Sequence, residues 1–150
     1  MRDPILNRTF DVVLNLFTSF GYFQDKTENI TVLKSVHTYL ESDGLLLIDF
    51  MNAEKEVLDI VPQMTKEVNG IEFCISKRIE ADNIVKDIEF KDAGNAYHFQ
   101  EKVQLLKLQD FEDFLDQAGF DVINRFGNYQ LDLFELNSDR LILLAKKRGK

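Results

Sequence analysis

Two short runs hold most of the side chains that could do chemistry. One is Asn15-Leu16-Phe17-Thr18-Ser19-Phe20-Gly21-Tyr22-Phe23, and the other is Asp49-Phe50-Met51-Asn52. Each closes a near-continuous apolar stretch. Phe17, Phe20, Tyr22 and Phe23 offer aromatic faces, which attract a cation by about 0.5–2 kcal/mol or shape a pocket. Asn15 and Asn52 offer polar contacts at strand ends, with Asp49 nearby. Each has a plainer reading: Phe17 and Phe20 as core filling, Asn15 as a strand-ending polar residue, Asn52 as part of a loop. Tyr129 is a further candidate, in the long loop Gly127 to Asp139. His37 falls in phase with apolar helical positions and reads as a packed histidine. His98 lies on the polar side of a strand, where it could serve as a base or simply be solvated. Cys74 reads as a small buried side chain. No His, Cys and Asp residues have metal-ligand spacing, and no Ser-His-Asp arrangement stands out. No residue identifies itself as catalytic.

Periodicity places these residues on helices and strands. Phe10 to Leu16 and Leu45 to Phe50 are apolar runs without strict alternation, which suits parallel strands covered on both faces. Between them, Asp25-Lys26-Thr27-Glu28 reads as a capping box opening a helix from Lys26 to Glu41. Ile30, Leu33, His37 and Leu40 share one face of it. Gly44 supplies a left-handed turn into the second strand. Such strand–helix–strand crossovers are right-handed. Ligands of parallel sheets bind beyond the carboxyl ends of the strands, which puts residues 15–23 and 49–52 at the mouth of one site.

Further along, Ile71, Phe73, Ile75 and Ile79 alternate with polar residues. Turn signals at Ala81-Asp82-Asn83 and Asp92-Ala93-Gly94-Asn95 come next, and residues 71–106 read as a half-buried three-stranded meander. Val57 to Val68 adds a fourth strand, with Pro62 placing it at an edge. Asp110 caps a short helix with apolar positions Phe111, Phe114, Leu115 and Ala118, ended by Gly119. Phe120 to Phe126 and Arg140 to Lys146 are the last two strands, the final one antiparallel.

This order of elements resembles a family. FDVVLNLFTSFGYF, a helix, and then GLLLIDFMN are similar to the fourth and fifth strands of the class I, seven-stranded, Rossmann-like S-adenosylmethionine-dependent methyltransferases. AGFDVINRFGNY and DRLILLAKK resemble the family's last two strands. The resemblance implies an α/β fold, a partial Rossmann-like sheet with strands in the order 4, 5, 7, 6 and an antiparallel meander inserted at 57–106. The whole is one domain over 1–150, with 1–56 and 107–150 as its core. It implies S-adenosylmethionine as cofactor and a small-molecule acceptor. Backbone carbonyls at Asn15 and Leu16 would hold the cofactor's ammonium group, and Tyr22 would lie near its positive sulfur. Met1 and Arg2, in Met1-Arg2-Asp3, resemble the loop that meets the adenine. Phe17, Phe20, Phe23, Asn52 and Tyr129 would shape the acceptor pocket. Methyl transfer is an in-line displacement, so alignment and a water-poor pocket are the protein's main tasks.

The pattern also departs from the family. The glycine-rich loop that cradles the methionine end of the cofactor is absent from the sequence, as is the acidic residue that holds the ribose. The chain therefore reads as the carboxyl-terminal portion of such an enzyme, with about a third of a typical α/β domain lacking. Its first strand would then show an unpaired apolar edge, which recruits another chain. A homo-oligomer, or pairing with a separate amino-terminal half, is the expected partnership. A different class of reading is a non-catalytic remnant or self-associating module that binds no cofactor.

Composition narrows the partners. The net charge is −8, with one dense basic run at Lys146-Lys147-Arg148, so no basic face attracts nucleic acid. No apolar run reaches membrane-spanning length. The single Cys74 rules out an internal disulfide and fits the reducing cytoplasm.

Overall fold

The computed structural model describes residues 8–23 and 25–149; Met1 and Arg2, expected near the adenine, lie outside them. The chain opens with β1 (Phe10–Asn15), α1 (Lys26–Tyr39) and β2 (Leu40–Met51). A short helix α2 (Ala53–Leu58) leads into four strands, β3 (Gln63–Val68), β4 (Ile71–Glu80), β5 (Asn83–Asp92) and β6 (Asn95–Gln104). Then come α3 (Leu108–Ala118), β7 (Phe120–Phe126) and β8 (Arg140–Lys147). The result is α/β with two four-stranded sheets, ordered β1-β2-β8-β7 and β3-β4-β5-β6.

The first sheet is mixed. β1 and β2 are parallel, with Val12 opposite Leu45 and Asn15 opposite Ile48. β8 is antiparallel to both β2 and β7. α1 and α3 cover one face of this sheet. Leu46, Ile48 and Phe50 of β2 are buried beneath Val32, Leu33 and Val36 of α1 and Phe111, Phe114 and Leu115 of α3. Phe111 is central, with ring centroids 5.1 Å from Phe50 and 5.5 Å from Phe20. The other face differs from expectation. Apolar runs of this kind predict cover on both faces, yet Val12 and Leu14 are 48% and 58% exposed. They alternate with Val13, which packs toward α1, and no described element lies over them.

Several local expectations need correction. Asp25 does cap α1, but its side chain accepts from the Thr27 amide at 2.9 Å rather than from Glu28. α1 stops at Tyr39 and runs straight into extended backbone at Leu40. The left-handed residue in this turn is Asp43, φ 64°, and not Gly44. Gly44 is required for space: a Cβ there would lie 3.0 Å from the Glu41 carbonyl and 3.1 Å from the Leu40 side chain. α3 begins earlier than expected, with Lys107 at its cap position. Asp110 instead sits three residues in and accepts from the Lys107 amide at 2.9 Å. Part of the stretch expected as an edge strand is helical: α2 takes 53–58, and β3 starts only after Pro62.

The second sheet is the expected meander, closed at two of its turns by the left-handed pairs Asn69-Gly70 and Ala93-Gly94. It is less buried than alternation predicts. Only Ile84, Val85, Val103 and Gln104 at its base are buried, and β3 is exposed throughout. The reason is that one end docks while the rest projects from the body. The docking is polar as well as apolar. The Gln104 amide donates to the Gly21 carbonyl at 2.8 Å, and the buried Asn29 side chain of α1 donates to Gln104 Oε1 at 2.6 Å.

A charged knot at the strand ends and the candidate active-site cleft

The carboxyl ends of β1 and β2 come together, as the parallel pairing requires. β1 runs into an unusual turn, in which Phe17 and Thr18 both take left-handed backbone, φ 57° and 56°. For residues with a Cβ this costs roughly 1–2 kcal/mol each. Asp49, at the end of β2 and 1% exposed, holds the turn in place. Its carboxylate accepts from the Phe17 amide at 2.9 Å, and its own carbonyl accepts from the Thr18 amide at 3.0 Å.

The same carboxylate is paired with Arg140 at the start of β8, at 2.8 Å from Nε and 2.7 Å from Nη2. It also accepts from the Tyr129 hydroxyl at 3.1 Å. Arg140 reaches on to Thr18 Oγ1 at 3.2 Å and stands 5.8 Å from the Tyr129 ring centre, a cation–π distance. A buried carboxylate needs this many donors, because an unpaired buried charge is costly. Desolvation of the hydroxyl and its bond to Asp49 push the Tyr129 phenol above its ordinary value.

Two connected hollows open beside the knot. The larger, about 320 Å³, lies between Phe17, Thr18 and Tyr22 and the base of the meander, where Lys77, Lys86 and Glu101 form its charged wall. The smaller, about 270 Å³, shares Thr18, Met51 and Glu56 and adds Lys55, Asp139 and Arg140. The wall charges are paired: Lys77 with Glu56 at 2.7 Å, and Lys86 with Glu101 at 3.1 Å. Desolvation and the nearby Glu101 charge raise the Tyr22 phenol.

The residues named from the sequence separate here. Phe17, Tyr22, Asn52 and Tyr129 all stand at this mouth, Phe17 and Tyr22 on the wall of the larger hollow. Asn15 and Leu16 close β1 beneath it, half-buried. Phe20 is 1% exposed and packs in the core against Phe111. Phe23 is half-buried and packs on the same core. Asn52 is nearly buried, and its side chain is spent on structure. It donates to the Leu136 and Ser138 carbonyls at 2.9 and 2.7 Å and accepts from the Glu54 amide at 3.3 Å. It therefore staples the 127–139 loop to the end of β2.

His37 stacks edge-on with Phe120 at 5.4 Å, far in sequence and role from the mouth. His98 bonds Asp87 at 3.0 Å on the other face of the meander. Cys74 is half-buried rather than buried, and free. Among the described residues no group of three or more His, Cys, Asp or Glu could hold a metal ion, and no helix is long and apolar enough to cross a membrane.

The charged wall went unread in the sequence, although a signal was there. Lys77, Lys86 and Glu101 each sit at an apolar-phase position of their strand, and the three fall in one cross-strand row.

Comparison with solved structures gives the fold its family setting. An S-adenosylmethionine-dependent methyltransferase from Clostridium acetobutylicum ATCC 824 superposes with a TM-score of 0.86 at 18% identity, covering 99% of this chain and 62% of that one. The fold is that of the S-adenosylmethionine-dependent methyltransferases. The sugar N-methyltransferase KedS8 from Streptoalloteichus sp ATCC 53650 matches with a TM-score of 0.74 at 19% identity, over 99% of this chain and 60% of that one. CalS10 from Micromonospora echinaspora, an amino pentose methyltransferase solved with S-adenosylmethionine bound, matches at 0.67 and 14%, over 97% and 61%. The chain thus spans about three fifths of the methyltransferases it resembles. No protein-family model matches the chain, and no curated sequence does.

Proposed function

We propose that this chain is the carboxyl-terminal, acceptor-side portion of an S-adenosylmethionine-dependent methyltransferase acting on a small molecule. The observation that carries the reading is the parallel β1–β2 pair whose ends, with the Phe17–Thr18 turn tied to Asp49, border a cleft walled by the meander. In the family's terms β1, β2, β8 and β7 stand for strands 4, 5, 7 and 6.

When bound, S-adenosylmethionine supplies a methyl group on a positive sulfur. The part of the site available in this chain fits that group on one side. Asn15 closes β1 just before the turn, and Phe17 and Tyr22 bring exposed rings to the mouth. The knot of Asp49, Arg140 and Tyr129 holds this wall rigid, which is how a protein aligns two reactants without reorganisation at the moment of reaction. The acceptor enters between Tyr22 and the Lys77–Lys86–Glu101 row. KedS8 and CalS10 are named for sugar and amino pentose acceptors, so an amino sugar is the first class to test here. Glu56 and Glu101 are the cleft carboxylates that a protonated amine would meet.

The open Val12 and Leu14 face supports a second reading: a self-associating module that binds no cofactor. Titration calorimetry with S-adenosylhomocysteine separates the two. The enzyme reading expects saturable heat once a separately expressed amino-terminal half, carrying the glycine-rich loop, is added to this chain. No heat and no thermal shift with both pieces present would leave only the second reading.

A further inference from the structure

The charged wall of the larger hollow breaks the pattern of the face it stands on. Across β4, β5 and β6 the rows Ile75–Ile88–Phe99 and Ile79–Ile84–Val103 are apolar. Between them lies the row Lys77–Lys86–Glu101. Lys77 and Lys86 stand directly opposite each other on neighbouring strands, where like charges are destabilising. Glu56 of α2 closes one end of the row on Lys77, and Glu101 closes the other on Lys86. The charges therefore run minus, plus, plus, minus. Apolar side chains here would continue the face without setting two like charges side by side. A departure from local pattern on the lining of a hollow is a mark of function.

We propose that this cleft takes an acceptor with charges of both signs, its ammonium group met by Glu101 and its anionic group set between Lys77 and Lys86. The proposal rests on the acceptor-side reading of the cleft given above and narrows the acceptor class. The balance of the row carries it. An anion alone would draw Lys77 and Lys86 away from Glu56 and Glu101 and leave two carboxylates without a counter-charge. A cation alone would strand the lysines in the same way. A ligand with both charges keeps each charge of the row facing its opposite, which a half-enclosed site requires.

The resident pairs are weak enough to open. Their side chains run from 28% exposed at Lys77 to 46% at Glu101, and ion pairs this open to water contribute little. Tyr22 completes the cation side. Its exposed ring stands in the same hollow, within reach of the Glu101 charge, and an aromatic face attracts an ammonium group. Spacing limits the ligand further. Neighbouring strands lie about 4.8 Å apart, so a site between β4 and β5 is roughly 7 Å from one on β6. An amine and an acid joined by a short chain span that distance.

Amide NMR titration of the full chain tests it with O-phosphoethanolamine and 4-aminobutyrate as probes, and with ethanolamine, inorganic phosphate and butyrate as their single-charge counterparts. At least one two-charge probe should shift the amides of Lys77, Lys86 and Glu101 saturably, with Kd on the order of 1–10 mM. Each single-charge counterpart should bind about tenfold more weakly or worse, having lost a charged contact. The double variant Lys86→Gln with Glu101→Gln removes one pair without stranding a charge and should abolish the shifts. Removing the Arg125–Glu112 pair on α3 and β7, by Arg125→Gln with Glu112→Gln, should leave them unchanged. Silence from both two-charge probes up to about 50 mM overturns the proposal. So does equal binding of a single-charge counterpart, or binding that survives in the Lys86→Gln, Glu101→Gln chain. The titration uses no cofactor, so it can fail while the calorimetry with S-adenosylhomocysteine succeeds, and the reverse.

Discussion

Asp49 does more than any other single residue to shape the mouth. Its carboxylate joins the end of β2 to the backbone of the aromatic turn, to the start of β8 and to the 127–139 loop. Removing it strands Arg140 in a part-buried position without its counter-charge and releases two left-handed residues. Breaking one partner of a buried pair costs about 3–5 kcal/mol. Asp49→Ala is therefore expected to lower the urea midpoint by that equivalent, with Asp49→Asn intermediate because the amide oxygen still accepts from the Phe17 amide. Equal stability of Asp49→Ala and the parent chain would show that the knot holds nothing. The sequence made Asp49 and Tyr129 visible as candidates but could not pair them. They are 80 positions apart, and nothing in the local sequence links either of them to Arg140.

At the scale of elements, α1 meets the α3–β7 junction through His37. Its ring stacks on Phe120 and lies so close to Gly119 that a Cβ there would stand 3.0 Å from Nε2. Gly119 also has φ 86°, so the junction needs glycine for both shape and space. Desolvation, with the Lys147 charge adding to it, holds the His37 pKa below the ordinary 6.5. Proton counting gives the sign. Below pH 6.5 the unfolded chain binds a proton that the folded chain resists, so this contribution to stability is full above 6.5 and declines as pH falls through the lowered value. Thermal melts should show stability dropping between pH 7 and 5, and His37→Phe should flatten that slope. An unchanged slope in the variant would assign the pH dependence elsewhere. Periodicity gave the buried face of α1 only in part: Asn29, Val32, Leu33 and Val36 are buried, while His37 and Ile30 flank that face half-buried.

For the molecule as a whole, the first sheet has one finished face and one open face. β2 has a partner on each side, while β1 has β2 alone among the described residues. Free edges and few buried contacts mean low-energy local opening. Hydrogen exchange by mass spectrometry on the chain alone should find Val12 to Leu14 exchanging orders of magnitude faster than Leu46 to Phe50. Equal protection of the two segments would mean that another chain covers β1.

Local and periodic features were legible in the chain alone. The two apolar runs, the capped helix between them, the meander turns and Gly119 all come from side-chain spacing and backbone preference, which act over a few residues. The order of these elements was enough to point to a methyltransferase sheet. Packing in three dimensions selected which polar groups meet. Asp49 with Arg140 and Tyr129, Asn29 with Gln104, and Lys77, Lys86 and Glu101 on one wall are contacts across long sequence separations. No periodicity encodes such partners, because each is chosen by how separate elements pack and by the need to satisfy every buried charge and amide once water has been excluded.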